Sequence, residues 1–331
     1  MKRDPEAFRL IRRPAQIGTL VSHLREVSGM VDRRLALVWR AWQRRPVVPF
    51  LCPLLIFLGL FLIYPTVYSF YLSFFRLEGG TLKFVGLDNF RRLLTDAIFL
   101  QAARNTLIWA VLGVFSELLI GFILALLLSS RLHGVTVFRT LWFMPVMFSE
   151  AIVAIMWSLI YEPRVGLLNR GLEWMGFGAW KPLWLGDPRL ALYALIAVST
   201  WMWTGFNMVL FLAGIMSIPP ELLDAARVDG ASPWQQVRYI ILPLLRNLTI
   251  TLILLGLTGK LKVFGLPWVA TPRGGPLGAT EVVSTYMVRR AFFYETFDQG
   301  YPAAIATTWF LLIMILAMLL IRGVRRGQIQ F

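Results

Sequence analysis

Pro219-Pro220-Glu221-Leu222-Leu223-Asp224-Ala225-Ala226-Arg227-Val228-Asp229-Gly230, running on through Ala231-Ser232-Pro233-Trp234 to Ile240-Ile241-Leu242-Pro243, is the stretch on which the fold of this 331-residue chain turns. It is polar and helix-forming, yet it lies between two apolar runs. Pro219 and Pro220 suit the start of a helix, where a missing N–H costs nothing, and Ser217 is placed to cap it. Glu221 and Asp224 put negative charge in the first turns, at the positive end of the helix dipole. Ala225 and Ala226 are small, strong helix formers that let a partner surface approach the backbone. Gly230 permits the left-handed turn that ends the helix. Ser232 followed by Pro233 then starts a second helix, running through Trp234 and Val237 into the next apolar run at Ile240. Physically this is either a well-capped surface helix joining two spans or a docking element. A DNA-reading helix-turn-helix is excluded, because the segment is tethered to apolar runs at both ends and carries no net positive charge.

Those flanking runs belong to a set. Hydropathy predicts six spans near 50–75, 103–129, 138–160, 190–216, 240–262 and 302–322, each long enough to cross a hydrocarbon core of about 30 Å. Hydrophobic residues make up 57% of the chain and charged residues 15%, against about a quarter charged in soluble domains, and the mean hydropathy is +0.66. The chain reads as an all-α polytopic membrane protein. The formal charge of +15 is concentrated at the ends: 11 of the 33 Lys and Arg residues lie between Lys2 and Arg45, and Arg322, Arg325 and Arg326 follow the last run. Positive charge flanking the first span marks the cytoplasmic side, so the basic charge reads as topology and membrane-surface contact, with no nucleic-acid partner. Six crossings place both termini there. Connections 76–102, 161–189 and 263–301 are then external, and 130–137 and 217–239 cytoplasmic. Residues 1–48 form a basic extension in which Ile17, Leu20, Val21, Leu24, Val27 and Val31 fall near helical spacing, as an interfacial helix or a partly disordered tail; residues 49–331 form the transmembrane domain. Within the last external connection, Pro272 to Pro276 must turn sharply, and Val282 to Phe293 reads as an amphipathic helix that packs against the bundle or dips into it. The single cysteine, Cys52, forms no intrachain disulfide.

The spacing within the opening stretch resembles the cytoplasmic loop of ABC-importer permeases, marked by Glu-Ala-Ala, three residues, Gly, nine residues and Ile-x-Leu-Pro. Asp224-Ala225-Ala226, Gly230 and Ile240-Ile241-Leu242-Pro243 reproduce every interval, with Asp224 in place of Glu. Trp203-Thr204-Gly205-Phe206-Asn207-Met208, Phe84 to Phe90 and Gly274-Gly275-Pro276 are similar to the carbohydrate-uptake branch, which contains the maltose, glycerol-phosphate and lactose types. The resemblance runs from about residue 50 to the C-terminus. It implies the type I permease fold with six transmembrane helices, in a bacterial or archaeal cytoplasmic membrane. It also implies a heterodimer with a second permease subunit, two ATPase subunits that bind ATP and Mg, and an extracytoplasmic solute-binding protein. Glu221, Asp224, Ala225, Ala226, Gly230 and Pro243 would then couple the chain to the ATPases. Against the pattern, Gly265 stands where relatives often have Asp, and Pro272-Arg273 make the following turn atypical.

The resemblance places the solute path midway through the membrane. Sugar recognition needs hydrogen-bonding groups and flat aromatic faces in apolar walls; Trp201, Trp203, Phe206 and Asn207 supply both on the fourth span. Asn207 must satisfy its amide with a neighbouring helix or with a ligand. By the same resemblance Lys260, Lys262 and Phe264 line the path after Pro243. The lysines either snorkel to the interface or favour an anionic solute. Glu117 and Glu150 are the carboxylates inside apolar runs. They read either as partnered or neutral acids near helix ends or as the coupling groups of an ion-driven secondary transporter. No phosphate-binding Gly-x-x-x-x-Gly-Lys-Ser/Thr run is present, Gly259-Lys260 lacking the first glycine and the hydroxyl. The chain has two histidines, His23 and His133, and no catalytic or metal constellation gathers in the spans. The reading is a non-catalytic subunit with no cofactor of its own.

Overall fold

The computed structural model describes residues 47–129, 134–294 and 298–326. The interfacial helix expected in the basic extension, His23 and His133 lie outside them. The chain divides into two units, Met1–Tyr68 and Ser69–Phe331. The described part of the first belongs to α1 (Phe50–Leu72). α1 contains Pro53 and a π-helical turn at Gly59–Ile63, and Tyr64 stacks on Tyr68 at 5.9 Å.

In the second unit the chain first makes a hairpin, β1 (Phe75–Glu78) and β2 (Thr81–Phe84), in the register Phe75↔Phe84 to Glu78↔Thr81. Gly79 and Gly80, at φ 59° and 80°, supply the two positive-φ positions of a two-residue turn. The short helix α2 (Asp88–Thr95) leads into α3 (Ala97–Ser129). Then follow α4 (Val135–Phe143), α5 (Glu150–Ile160), α6 (Leu167–Leu172) and α7 (Ala191–Met216). Beyond them come α8 (Pro220–Val228), α9 (Pro233–Gln236), α10 (Arg246–Lys260), α11 (Gly265–Ala270), α12 (Val283–Phe292) and α13 (Gly300–Arg326).

Five helices among the described residues are long and apolar enough to span: α1, α3, α7, the run Arg246–Ala270 and α13. The expected third span is instead a broken pair, Val135–Met147 and Glu150–Ile160, bent by 103°. The reason is local. Pro145 is followed by extended backbone at Phe148 (ψ 149°), and Ser149 caps a new helix by accepting from the Ile152 N–H. The expected fifth span, 240–262, is also interrupted. Residues Val237–Ile241 are π-helical, Pro243 has no N–H to donate, and Leu245 (φ −82°, ψ 1°) separates Leu242–Leu244 from α10. The amphipathic helix expected after the Pro-Gly turn is α12, which buries Val283, Tyr286 and Ala291.

α7 is the hub. Two thirds of its apolar window (67%) is buried, against 33% for α3 and 22% for the run from Arg246 and for α13. It packs along α3, where Gly121 lets the helices close on Asn207 and Met208: an added Cβ would lie 2.9 Å from the Asn207 Cβ. Gly205 sits still more tightly against the Trp142 carbonyl. One hydrophobic cluster joins Trp109, Val153, Leu195, Met202 and Leu266, and another joins Met208, Phe211, Ile215, Ile241 and Leu245. α7 therefore touches both the middle of the bundle and the segment that follows α8.

Candidate functional site: a charged cavity and an exposed helical turn

A cavity of about 500 Å³ opens between α3, α7 and α10. Trp203, Phe206, Asn207, Lys260, Lys262 and Phe264 line it, together with Glu117 and Glu150. Trp201 lies outside this cavity. It packs edge-on against Trp157 at 5.5 Å and lines a separate groove with Trp142 and Tyr193. Phe264 stacks on Trp268 at 5.2 Å, and the Asn207 amide N–H donates to the Trp203 carbonyl one turn back (3.2 Å).

Lys260 does not snorkel. It is 7% exposed and its ammonium lies 2.7 Å from a Glu117 oxygen, Glu117 itself being 3% exposed. The ammonium also donates to the Ser199 hydroxyl (2.7 Å), Ser199 donates to Glu117 (3.4 Å), and the Trp203 ring centroid lies 5.2 Å from the Lys260 Nζ. α10 and α3 each contribute one member of this network and α7 contributes two, Ser199 and Trp203. Glu117 lies midway along the 33-residue α3, not near its end. A buried charge of either sign is costly in this setting, and only the partner makes it tolerable. Pairing Glu117 with Lys260 was within reach of the sequence, since apolar spans rarely carry a lone charge; Ser199 offered no signal of its own.

Glu150 occupies the first turn of α5, where the bend exposes a fresh helix start. Its carboxylate accepts from the Leu266 N–H at 3.3 Å. Gly265 makes the approach possible: an added Cβ there would lie 2.6 Å from the same oxygen. The departure from the family pattern at Gly265 thus coincides with a carboxylate delivered from another helix. Lys262 is exposed.

Residues 219–236 form α8, a turn and α9. Ser217 does not cap α8. Its hydroxyl bonds back to the Gly214 carbonyl (2.7 Å), and Pro219 takes the cap position with Pro220 in the first turn. Gly230 adopts φ 81°, the Ala231 N–H bonds the Ala226 carbonyl (2.9 Å) and the Gly230 N–H bonds that of Arg227 (3.0 Å). That is the Schellman termination. The Ser232 hydroxyl accepts from the Gln235 N–H (3.3 Å) and the Gln235 side chain accepts from the Ser232 N–H (2.7 Å), a reciprocal capping box. Ser232-x-x-Gln235 was the available signal for it. Glu221, Asp224, Ala225 and Gly230 are exposed, Ala226 is half-buried and Pro243 is exposed. Asp224 pairs with Arg227 at 2.7 Å, while Leu223 and Val237 turn inward onto the cluster of Phe211, Ile215 and Ile218.

Residues 117–329 match the family of binding-protein-dependent transport system inner membrane components. A probable ABC transporter permease of Pyrococcus horikoshii is 37% identical over 83% of this chain and 96% of its own length. The trehalose/maltose transport permease of Thermococcus litoralis is 33% identical over 79% of this chain and 88% of its own. The lactose transport permease of Rhizobium radiobacter is 30% identical over 82% and 91%. In fold, the chain is similar to a bacterial alginate ABC transporter crystallised with an alginate-bound periplasmic protein, with a TM-score of 0.77, 24% identity and coverage of 87% of this chain and 97% of that one. These relatives leave the ion-driven secondary transporter without support. The chain belongs to the binding-protein-dependent transport system inner membrane components.

Proposed function

We propose that this chain is a permease subunit of an ATP-driven importer of a sugar or similar polyhydroxyl solute. It works beside a second permease subunit, two ATPase subunits that bind ATP and Mg, and an extracytoplasmic solute-binding protein, with both termini cytoplasmic. One observation carries the coupling. The exposed α8–α9 turn rests by Leu223 and Val237 on the same α7 that lines the cavity with Trp203, Phe206 and Asn207. Closure of the ATPases on Glu221, Asp224, Ala225 and Ala226 would move this hydrogen-bonded turn as one body, and α7 and α10 would follow. The cavity would supply the solute path, its aromatic faces meeting C–H surfaces and its polar groups meeting hydroxyls. The names of the sugar permeases among the relatives, for lactose and for trehalose/maltose, support the solute class.

The test is uptake by proteoliposomes that hold this chain with its partner subunits and binding protein, screened over sugars and glycerol phosphates. Wild-type uptake requires ATP, and the charge-reversing Asp224→Lys lowers it by about tenfold or more. Uptake driven by a proton gradient without ATP would return the function to Glu117 and Glu150 and overturn the reading.

A further inference from the structure

The cavity carries two acids and two bases, and their arrangement is unequal. An ammonium has three N–H donors and no acceptor. Those of Lys260 are engaged on three sides, by the Glu117 carboxylate (2.7 Å), the Ser199 hydroxyl (2.7 Å) and the Trp203 ring (5.2 Å). Two of the three donors are taken by hydrogen bonds, the third side is covered by an aromatic face, and the charge is cancelled at contact distance. The acceptors are freer. Glu150 uses one oxygen on one N–H among the described residues, and an ionised carboxylate has room for about three more hydrogen bonds. The Asn207 amide spends one of its two N–H donors on the Trp203 carbonyl, and its oxygen has no donor among the described residues. The remaining cation, Lys262, is exposed to solvent, where its pull is screened.

We propose that Glu117 is the selectivity residue of this cavity: by saturating Lys260 it leaves an acceptor-rich, charge-cancelled site that takes an uncharged polyhydroxyl solute and turns away phosphorylated or carboxylated ones. The proposal rests on the cavity being the solute path of a carbohydrate permease. It selects one of the two roles open to Lys260 in the sequence and rejects the other, attraction of an anionic solute. A solute rich in hydroxyl donors satisfies Glu150 and Asn207, whereas an anion meets the Glu150 carboxylate and finds the buried Lys260 ammonium already paired. Removing the Glu117 charge while keeping its shape exposes a buried cation to the cavity and should reverse the preference.

The experiment has two arms, both on the assembled transporter. In the first, a reporter cysteine is placed at the cavity-lining Leu255 (Leu255→Cys in a Cys52→Ser background), and its rates of reaction with anionic and cationic methanethiosulfonates of similar size are compared. Glu117→Gln raises the anionic-to-cationic rate ratio by about tenfold, the effect of one uncompensated charge at short range. The double variant Glu117→Gln/Lys260→Met restores the wild-type ratio. A ratio unchanged by Glu117→Gln overturns the proposal, and so does a double variant that stays anion-preferring. Should Glu117→Gln alone not assemble, Lys260→Met must lower the ratio by about tenfold while the double variant keeps the wild-type ratio, and an unchanged ratio in Lys260→Met overturns the proposal.

In the second arm, ATP-dependent uptake of trehalose, lactose and xylose is compared with that of glucose 6-phosphate and an alginate trisaccharide. Wild type takes a neutral probe and excludes the anionic ones, and Glu117→Gln narrows that difference at least tenfold. Wild-type uptake of an anionic probe at the neutral rate sinks the selectivity proposal alone. Failure to take up any carbohydrate with ATP sinks the functional reading beneath it, so the two failures are distinct.

Discussion

Asp96 accepts four hydrogen bonds at once. The Ile98 and Phe99 N–H groups reach one oxygen at 2.9 and 3.2 Å, as at a helix start, and the Tyr286 and Tyr301 hydroxyls reach the other at 2.5 Å each. Arg92 and Arg290 lie over the Tyr301 ring at 4.4 and 5.0 Å. Partial burial works to raise the Asp96 carboxyl, but the bonds from Tyr286, Tyr301, Phe99 and Ile98 outweigh it and hold the group below its ordinary range. Burial first, and then the bond to Asp96, pushes the Tyr286 phenol well above its usual range. The sign for stability follows. A carboxyl depressed in the folded state contributes stability that is full above its unfolded pKa, about 4, and is lost as pH falls through the lower folded value. Asp96→Asn therefore lowers thermal stability in detergent at pH 7, and the gap from wild type closes as pH drops below about 4. A gap of constant size across that range would contradict the assignment. In the sequence Asp96 is one of several charged residues in the 76–102 connection. Its partners lie 190 and 205 residues away, a pairing that no local pattern reports.

Among the elements, the α8–α9 turn was the most legible, because every bond that shapes it is local. Pro219-Pro220, Gly230 and Ser232 each act within five residues, so their chemistry could be read in order. The broken third span was less so: hydropathy averages over a bend, and the Pro145 to Ser149 signal was drowned by the apolar residues around it. The hairpin went unread although Gly79-Gly80 marks its turn, since the surrounding strands are only four residues each. At the turn itself a prediction follows. A β-branched residue at the Gly230 conformation (φ 81°) costs about 1–2 kcal/mol and loosens the Schellman bonds. Gly230→Val should leave the transporter assembled and hydrolysing ATP while the solute moved per ATP falls several-fold. A wild-type ratio of transport to hydrolysis would contradict motion of α8–α9 as one body.

For the whole molecule, the position of the spans fixes the relation between its two loop regions. Val228 and Leu277, both exposed (88% and 86%), are separated by the single span Arg246–Ala270. The proposed topology therefore puts them on opposite faces of the bilayer. In a Cys52→Ser background, Leu277→Cys is labelled by a membrane-impermeant maleimide from outside, and Val228→Cys only after permeabilisation; labelling of both from one side would contradict the topology. The cavity was half legible at this scale. Trp203, Phe206 and Asn207 announced themselves on one helix, and the charges in apolar runs invited pairing, but which acid meets which base depends on α3 and α10 packing together.

The interruption at Leu245 has a mechanical meaning. Leu245 is 4% exposed and held in the cluster around Phe211 and Ile215, so in the proposed coupling motion it would serve as a fulcrum rather than a loose joint. From Pro233 to Leu244 is 12 residues, about 18 Å of helix, and from Arg246 to Lys260 is 15 residues, about 22 Å. The two sides of a crank pivoting there are nearly equal in length. A displacement imposed on the solvent-side arm would reach Lys260 with little gain or loss of stroke and with its direction reversed.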